Sequence, residues 1–217
     1  MTAITKEPAT GVTARAAGYI HAAAWLLGLA AAWGATPEVG DTHAAITTAY
    51  ADRPVQAVAQ ALLVHGVAAV CLVVVGSGLL DRARCTGNTA ARLAGWAGRV
   101  AGALACAQLA LELIAVPGAD PASSGRTGAL FEAVQRADGV KMFALAALAA
   151  AACVASRHGT LLRRWEVVIG WALAATITAS GIGYLFLSTA LTPTAFISLP
   201  LLLIWIAVLG AALRRRP

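Results

Sequence analysis

Charged side chains are scarce in this sequence. Asp, Glu, Lys and Arg together make up 12% of the 217 residues, whereas soluble globular domains carry roughly 25%. Hydrophobic residues reach 59%, and the mean hydropathy is +0.76. This composition excludes an ordinary soluble domain and indicates an integral membrane protein.

Sequence signatures of metal sites, cofactors and common enzymes are also missing. The four cysteines lie outside the segments predicted to face the cell exterior, which excludes an external disulfide framework, and their spacing does not fit zinc. The sequence contains no Walker loop, GxSxG, HExxH or dinucleotide fingerprint. A haem held by His21 and His65 is disfavoured because the two residues fall at different depths. We therefore predict no cofactor and no metal.

Six long apolar segments dominate the chain. A helix needs about 20 mainly apolar residues to cross the hydrocarbon core. The segments are joined by short connections, which favours one domain. The sequence predicts an all-α polytopic bundle with six transmembrane helices, at 14–33, 55–80, 93–116, 139–156, 167–187 and 194–213.

Lys and Arg residues near the span ends set the orientation. With both termini in the cytoplasm, twelve of the sixteen fall on or near that side. They are Lys6, Arg15, Arg82, Arg84, Arg92, Arg99, Arg157, Arg163, Arg164, Arg214, Arg215 and Arg216. The net charge of +6 is then a topological signal with contacts to anionic lipid, and no nucleic-acid partner is implied. A competing interpretation of the first span is a signal peptide cut after Ala30-Ala31-Ala32.

Glu112 is the most informative single residue, because it lies inside the third predicted span. Placing an ionisable group in hydrocarbon costs at least roughly 2.5 to 3.5 kcal/mol, so such residues face a protein interior or a watery cavity. Gln108 lies one turn away on the same face. Lys141 enters the next span at a similar level, so we expect it to be the ionic partner of Glu112.

Other polar or irregular positions fall in the same half of the predicted bundle. Gln56 and Gln60 lie one turn apart, the segment 180–184 combines glycines with Tyr184, and Pro200 interrupts the last span. Irregular backbone at membrane depth is tolerated where it lines a cavity, so the sequence predicts an outward-facing vestibule. Its candidate ligand-binding residues are Gln56, Gln60, Gln108, Glu112, Lys141 and Tyr184.

His65 lies near the middle of the second span but off the Gln56–Gln60 stripe. We interpret it as a neutral imidazole bonded to a carbonyl or hydroxyl of a neighbouring helix. The glycine pair Gly98 and Gly102 permits close packing inside the bundle or between copies in a homo-oligomer.

Two surface helices are expected in the outer segments. One lies between Thr42 and Ala51, and an amphipathic one covers 128–136 within the outer loop 117–138. Asp138 and Glu132 are then interfacial.

The sequence resembles a group of small bacterial six-span membrane proteins classed only as a domain of unknown function. The likeness lies in Ala14-Arg15-Ala16-Ala17-Gly18-Tyr19 at the opening of span one. It extends to a last third with a basic loop, then Gly170, Gly181, Gly183, Pro193, Pro200 and Trp205 before a basic end. The resemblance implies the fold and topology, a cell-membrane location and no particular activity.

Three functions fit these features. The favoured one is a membrane protein without catalytic activity, either an accessory subunit or a binder of a small apolar molecule. A second is a membrane-embedded enzyme on a lipid or isoprenoid-like substrate, with Glu112 as candidate catalytic acid. A third is a proton-coupled transporter in which Glu112 titrates.

Overall fold

The computed structural model describes residues 9–34, 36–158 and 161–214 and contains no strand in those ranges. Eight α-helices account for most of these residues. They are α1 (Ala9–Ala31), α2 (His43–Asp52), α3 (Pro54–Ala61), α4 (Ala68–Thr86), α5 (Thr89–Ala115), α6 (Ser124–Ala155), α7 (Arg164–Leu185) and α8 (Ala195–Ala212). A π-helical segment, Leu62–Val67, joins α3 to α4 without a break.

The continuous helix from Pro54 to Thr86 has clear signals at both ends. Pro54 occupies the first turn, where its missing N–H costs nothing. Gly87 follows the last turn with φ of 68°, and its N–H donates to the oxygen of Ala83. Glycine adopts this left-handed conformation without a steric penalty, which is why it commonly terminates helices.

Within the part of the chain that the structure describes, five helices are long and apolar enough to cross a membrane, and they fit a multi-pass membrane protein. They are Pro54–Thr86, Thr89–Ala115, Pro121–Ala155, Arg164–Leu185 and Thr192–Ala212. α1, the first of the six predicted spans, is not among them. It has 23 residues, and Arg15 and His21 lower its hydropathy.

α1 nevertheless packs among the spanning helices. Successive long helices contact one another, and α1 closes the ring by contacting both α4 and α8. A Cβ built on Gly18 would lie 2.8 Å from the backbone oxygen of Ile206, and one on Gly210 would lie 2.6 Å from that of Ala14. The small residues at the start of α1 therefore allow close backbone contact with α8, as small-residue motifs do in membrane bundles.

The two ends of the ring differ in composition. α2 and the α7–α8 connection lie at one end, where a Cβ on Gly40 would lie 2.8 Å from Cγ2 of Thr189. We call this the α2 end. The opposite half holds the main apolar core, which includes Val75, Leu148 and the fully buried Trp205. Polar side chains are buried mainly toward the α2 end.

Several predicted boundaries can be compared with these helices. The expected surface helix between Thr42 and Ala51 is confirmed as α2, with Thr42 as its N-cap. Span four is predicted to start at Gly139, whereas the helix that carries it, α6, already begins at Ser124. The expected amphipathic piece 128–136 is thus the first part of α6 rather than a separate surface helix. Its polar residues resemble a loop in sequence, yet Phe131 and Val134 are buried and extend the packed face.

The glycine pair in α5 has an intramolecular role. A Cβ on Gly98 would lie 3.3 Å from Cα of Gly76, and one on Gly102 would lie 2.8 Å from the oxygen of Ala69. Both glycines are buried against α4, so the expected homo-oligomer contact cannot form through them without displacing α4.

Candidate functional site

Gln108 and Asp138 form a buried hydrogen-bonded pair between α5 and α6. The Gln108 amide, which is completely buried, donates to the backbone oxygen of Val134 at 3.1 Å and to Oδ1 of Asp138 at 3.0 Å. Burying a polar group is costly unless it is hydrogen-bonded, and these two bonds account for the amide nitrogen. Oε1 of the same amide has no partner among the described residues.

Lys141 forms an ion pair with Asp138, one helical turn away in α6. Its side chain is only 5% exposed and that of Asp138 only 13%. The Lys141 Nζ also lies 5.9 Å from the centre of the Trp25 ring in α1, which is within cation–π range. α6 therefore supplies both charges of a nearly buried pair, and α1 covers the positive one.

The expected ion pair between Glu112 and Lys141 is wrong. Glu112 instead approaches His65, with 3.7 Å between its Oε2 and the His65 Nε2. Lys141 is taken by Asp138 because both belong to α6 at a spacing of three residues, the separation at which helical side chains meet. The interpretation of His65 as bonded to a carbonyl or hydroxyl also fails, since its near neighbour is a carboxylate and its Nδ1 has no partner in the described chain.

A second buried histidine lies on α1. The Nδ1–H of His21 donates to the backbone oxygen of Ala68 at 3.1 Å, while its Nε2 has no partner in the described part of the protein. This bond ties α1 to α4 at the residue where the π-helical segment ends. The carbonyl of Ala68 thereby satisfies the Nδ1–H donor of His21 across the interface between α1 and α4.

A cavity of about 90 Å³ lies between α1, α6, α7 and α8. Asp138 and Lys141 line it on one side and Tyr184 and Ser198 on another, and the rest of the wall is mainly apolar. Its remaining lining residues are Trp25, Met142, Leu145, Ile177, Ala195, Leu199 and Leu202. The charged pair of α6 thus faces an otherwise apolar space. Ser198 is itself fixed by hydrogen bonding to Ser180, with 2.9 Å between their hydroxyl oxygens.

α2 packs over the part of the site that contains Glu112. Ile46 and Tyr50 of α2 form a small apolar cluster with Val116 and with Phe131 of α6. The rings of Tyr50 and Phe131 meet edge to face, with 6.4 Å between their centres. Burial, and to a smaller extent the charge of Glu112, raises the pKa of Tyr50 well above its ordinary value.

The structure divides the predicted vestibule residues into three groups. The first group, which belongs to the buried polar cluster, consists of Gln108, Glu112 and Lys141. The second group lines the cavity and consists of Tyr184 together with Lys141, which belongs to both groups. The third group is the two glutamines of α3. Gln56 is exposed near the start of α3. Gln60 is half-buried and accepts a hydrogen bond from the Thr36 hydroxyl at 3.1 Å. Neither glutamine of α3 reaches the charged pair.

Sequence reasoning missed three members of the site, namely Asp138, His65 and Trp25. Asp138 was assigned to the membrane interface, but it is only 9% exposed. Its spacing of three residues from Lys141 was an available signal, because an i,i+3 acid–base pair at a predicted span start suggests mutual burial. Trp25 carries no such signal, since its contact depends on how α1 packs against α6.

The cluster can exchange protons or hold a polar group, but it does not resemble a metal site. In residues 9–34, 36–158 and 161–214, no three His, Cys, Asp or Glu side chains are grouped so that they could hold a metal ion. Comparisons of this chain with protein-family models, curated proteins and solved structures find no match.

Proposed function

We propose that this multi-pass membrane protein binds a small, mainly apolar molecule in the cavity between α1, α6, α7 and α8. The observation that carries the proposal is that both residues of the nearly buried Asp138–Lys141 pair line an otherwise apolar space. Ligand sites are typically apolar, with a few polar groups that fix orientation. The apolar wall would hold the body of the ligand and the pair its polar end.

The size and charge of the cavity limit the ligand. At about 90 Å³ it is smaller than the roughly 300 to 1,000 Å³ of sites for drug-sized molecules. It suits a small molecule or one end of a longer one. Asp138 and Lys141 already neutralise each other, so an uncharged polar end avoids the cost of burying another charge. A hydroxyl or carbonyl oxygen would accept a hydrogen bond from one of the three ammonium donors of Lys141.

The test uses a medium-chain alcohol that carries a photoreactive diazirine. The purified protein in lipid nanodiscs is labelled, and the labelled peptides are identified by mass spectrometry. Ala195→Trp places a large ring in the cavity wall, whereas the neighbouring Phe196→Trp changes a side chain that is 85% exposed. We expect saturable labelling of cavity peptides that is lost in Ala195→Trp and kept in Phe196→Trp. Labelling that does not saturate, or that is equal in both variants, contradicts the proposal.

We further propose that α1 is a sixth span and that both termini face the cytoplasm of a bacterial cell. α1 is held inside the ring by backbone contact with α8 and by the His21–Ala68 bond. The basic residues near helix ends concentrate at the end opposite α2, which the positive-inside rule assigns to the cytoplasm. The same arrangement is expected from the resemblance to small six-span proteins.

Cysteine accessibility tests this topology. Cys85 is exposed close to the α4–α5 connection, and Ala122 is exposed between α5 and α6 at the other end. In variants with a single cysteine, a membrane-impermeant thiol reagent added to intact cells should modify Ala122→Cys. It should modify Cys85 only after the cells are permeabilised. The reverse pattern would contradict the proposed orientation.

A further inference from the structure

The buried charges near the α2 end do not balance. Asp138 and Lys141 form a neutral pair, whereas Glu112 has no Lys or Arg within ion-pair distance in the described ranges. Its side chain is 16% exposed, and its Oε2 is buried without a hydrogen-bond partner there. An ionised carboxylate in such a position is costly, because it must be desolvated without a compensating contact.

The titratable groups around Glu112 come from three elements. His65 faces it from the π-helical segment, Tyr50 acts on it from α2, and Asp138 and Lys141 act on it from α6. His21 of α1 is farther away and interacts with Lys141. Of these groups, the imidazole of His65 is the one within 4 Å of the carboxylate. A proton bound to the Glu112 carboxylate or to the His65 imidazole would therefore restore neutrality.

The His65–Glu112 distance decides between these two positions. Charge-assisted N–H···O bonds measure roughly 2.7 to 2.9 Å, but His65 Nε2 lies 3.7 Å from Glu112 Oε2. The pair is thus not a closed imidazolium–carboxylate bond. A neutral carboxyl removes the cost of the unpaired charge and requires no ionic bond to His65.

We infer that Glu112 is a proton-binding site, with the proton on its carboxyl group and the neutral imidazole of His65 as the nearest polar neighbour. The site is separate from the ligand cavity, because neither residue lines that cavity. The inference therefore does not depend on ligand binding. A π-helical segment supports a dedicated site, since such segments in otherwise regular helices occur frequently at functional positions.

α2 provides the side from which the proton exchanges. The Tyr50 ring packs with Ile46, Phe131 and Val116, which follows Glu112 by one helical turn, at the α2 end. The opposite direction leads into the apolar core around Leu72 and Leu148. The proton reaches Glu112 past the edge of α2, where the cover is a single ten-residue helix.

Infrared spectroscopy of the protein in nanodiscs tests the site, with H⁺ and D⁺ as the probes. At neutral pH the wild type should show the C=O stretch of a protonated carboxyl, and the band should shift in D₂O as the proton exchanges. Glu112→Gln should lose this band. The matched control Glu132→Gln removes a half-exposed carboxylate of α6 and should keep it.

A second pair of variants makes the result independent of Glu112→Gln folding. His65→Phe removes the nearest polar neighbour of the carboxyl group and should shift the frequency of the carboxyl band without abolishing it. His43→Phe changes an exposed histidine that contacts Glu132 and should leave the band in place. An absent band in the wild type, or a band that none of the Glu112 and His65 variants changes, would overturn the inference.

Discussion

The partner of Lys141 can be identified by a double-mutant cycle. Lys141→Met leaves the nearly buried Asp138 carboxylate with the Gln108 amide and no cation. Removing one member of a buried ion pair typically costs about 3 to 5 kcal/mol, because an uncompensated charge stays behind. We expect a loss of this size in the free energy of unfolding for Lys141→Met and for Asp138→Asn alone. The double variant should recover most of it, since no buried charge remains.

Glu112 provides the alternative arm of this cycle. If Glu112 were the partner, Glu112→Gln would rescue Lys141→Met. The observed pairing predicts no rescue, because Lys141→Met would still leave Asp138 unpaired. Unfolding is measured by titration with SDS in mixed micelles, which reports free-energy differences between variants. Rescue by Glu112→Gln equal to or larger than rescue by Asp138→Asn would refute the pairing.

A matched surface pair on the same helix controls for general effects of charge removal. Arg136 Nη2 lies 3.9 Å from Oε2 of Glu132, and their side chains are 54% and 40% exposed. Exposed pairs contribute roughly 0 to 1 kcal/mol, since water screens them in either state. The Glu132→Gln and Arg136→Met cycle should therefore give a coupling energy several-fold smaller than the Asp138–Lys141 cycle.

Three further predictions follow from packing and from protonation. Gly139→Ala should destabilise the protein by roughly 1 to 3 kcal/mol in the same SDS assay, since its Cβ would lie 2.6 Å from the backbone nitrogen of Leu185. The control is Gly125→Ala, because a Cβ at Gly125 would have no atom within 4 Å. If folding places a proton on Glu112, the folded state binds more protons than the unfolded one. Stability should then fall as pH rises above roughly 4.3, the ordinary pKa of a glutamate, by up to about 1.4 kcal/mol per pH unit, and Glu112→Gln should flatten this dependence. Because burial raises the pKa of Tyr50, an ultraviolet pH titration should show late tyrosinate formation, and Tyr50→Phe should reduce its amplitude.

Helix positions follow well from the sequence because apolar runs and end signals are local properties. Pro54 and Gly87 mark the ends of one long helix, and Thr42 caps α2. Local signals also place Gln108 and Glu112 on one face of α5, away from bulk lipid. Both residues are largely buried: Gln108 is 0% exposed as a whole residue, and the side chain of Glu112 is 16% exposed.

The partners of these residues do not follow from local signals. The depth of Asp138 depends on where α6 begins. Because the residues before Gly139 are polar, the sequence predicts a start near the middle of the observed helix. The direction of a side chain in the second span is predicted from regular α-helical geometry, with a rotation of 100° per residue. The π-helical segment Leu62–Val67 bonds i to i+5 and turns by less per residue. A helical wheel drawn at 100° per residue therefore does not apply across this segment.

The glycines show the same limit for packing. Gly98 and Gly102 permit a close approach, but the sequence does not say which helix approaches. The structure places α4 there, at Gly76 and Ala69. The choice depends on tertiary contacts among all the helices of the ring, and these are not encoded by spacing within α5.

The free-energy cost of burying the Asp138–Lys141 pair is relevant to the proposed binding function. Well-packed apolar residues of similar volume often replace a buried ion pair with no loss of stability. Stability alone therefore gives little reason to keep both charges at the edge of a cavity. If the neutral double variant Asp138→Asn with Lys141→Met folds as stably as the wild type, the pair is dispensable for folding. The diazirine alcohol should then bind this variant more weakly, because Met142 and Leu145 still form the apolar wall while the ammonium donor is gone. Equal saturable labelling of the stable double variant would show that the charged pair does not hold the polar end of the ligand.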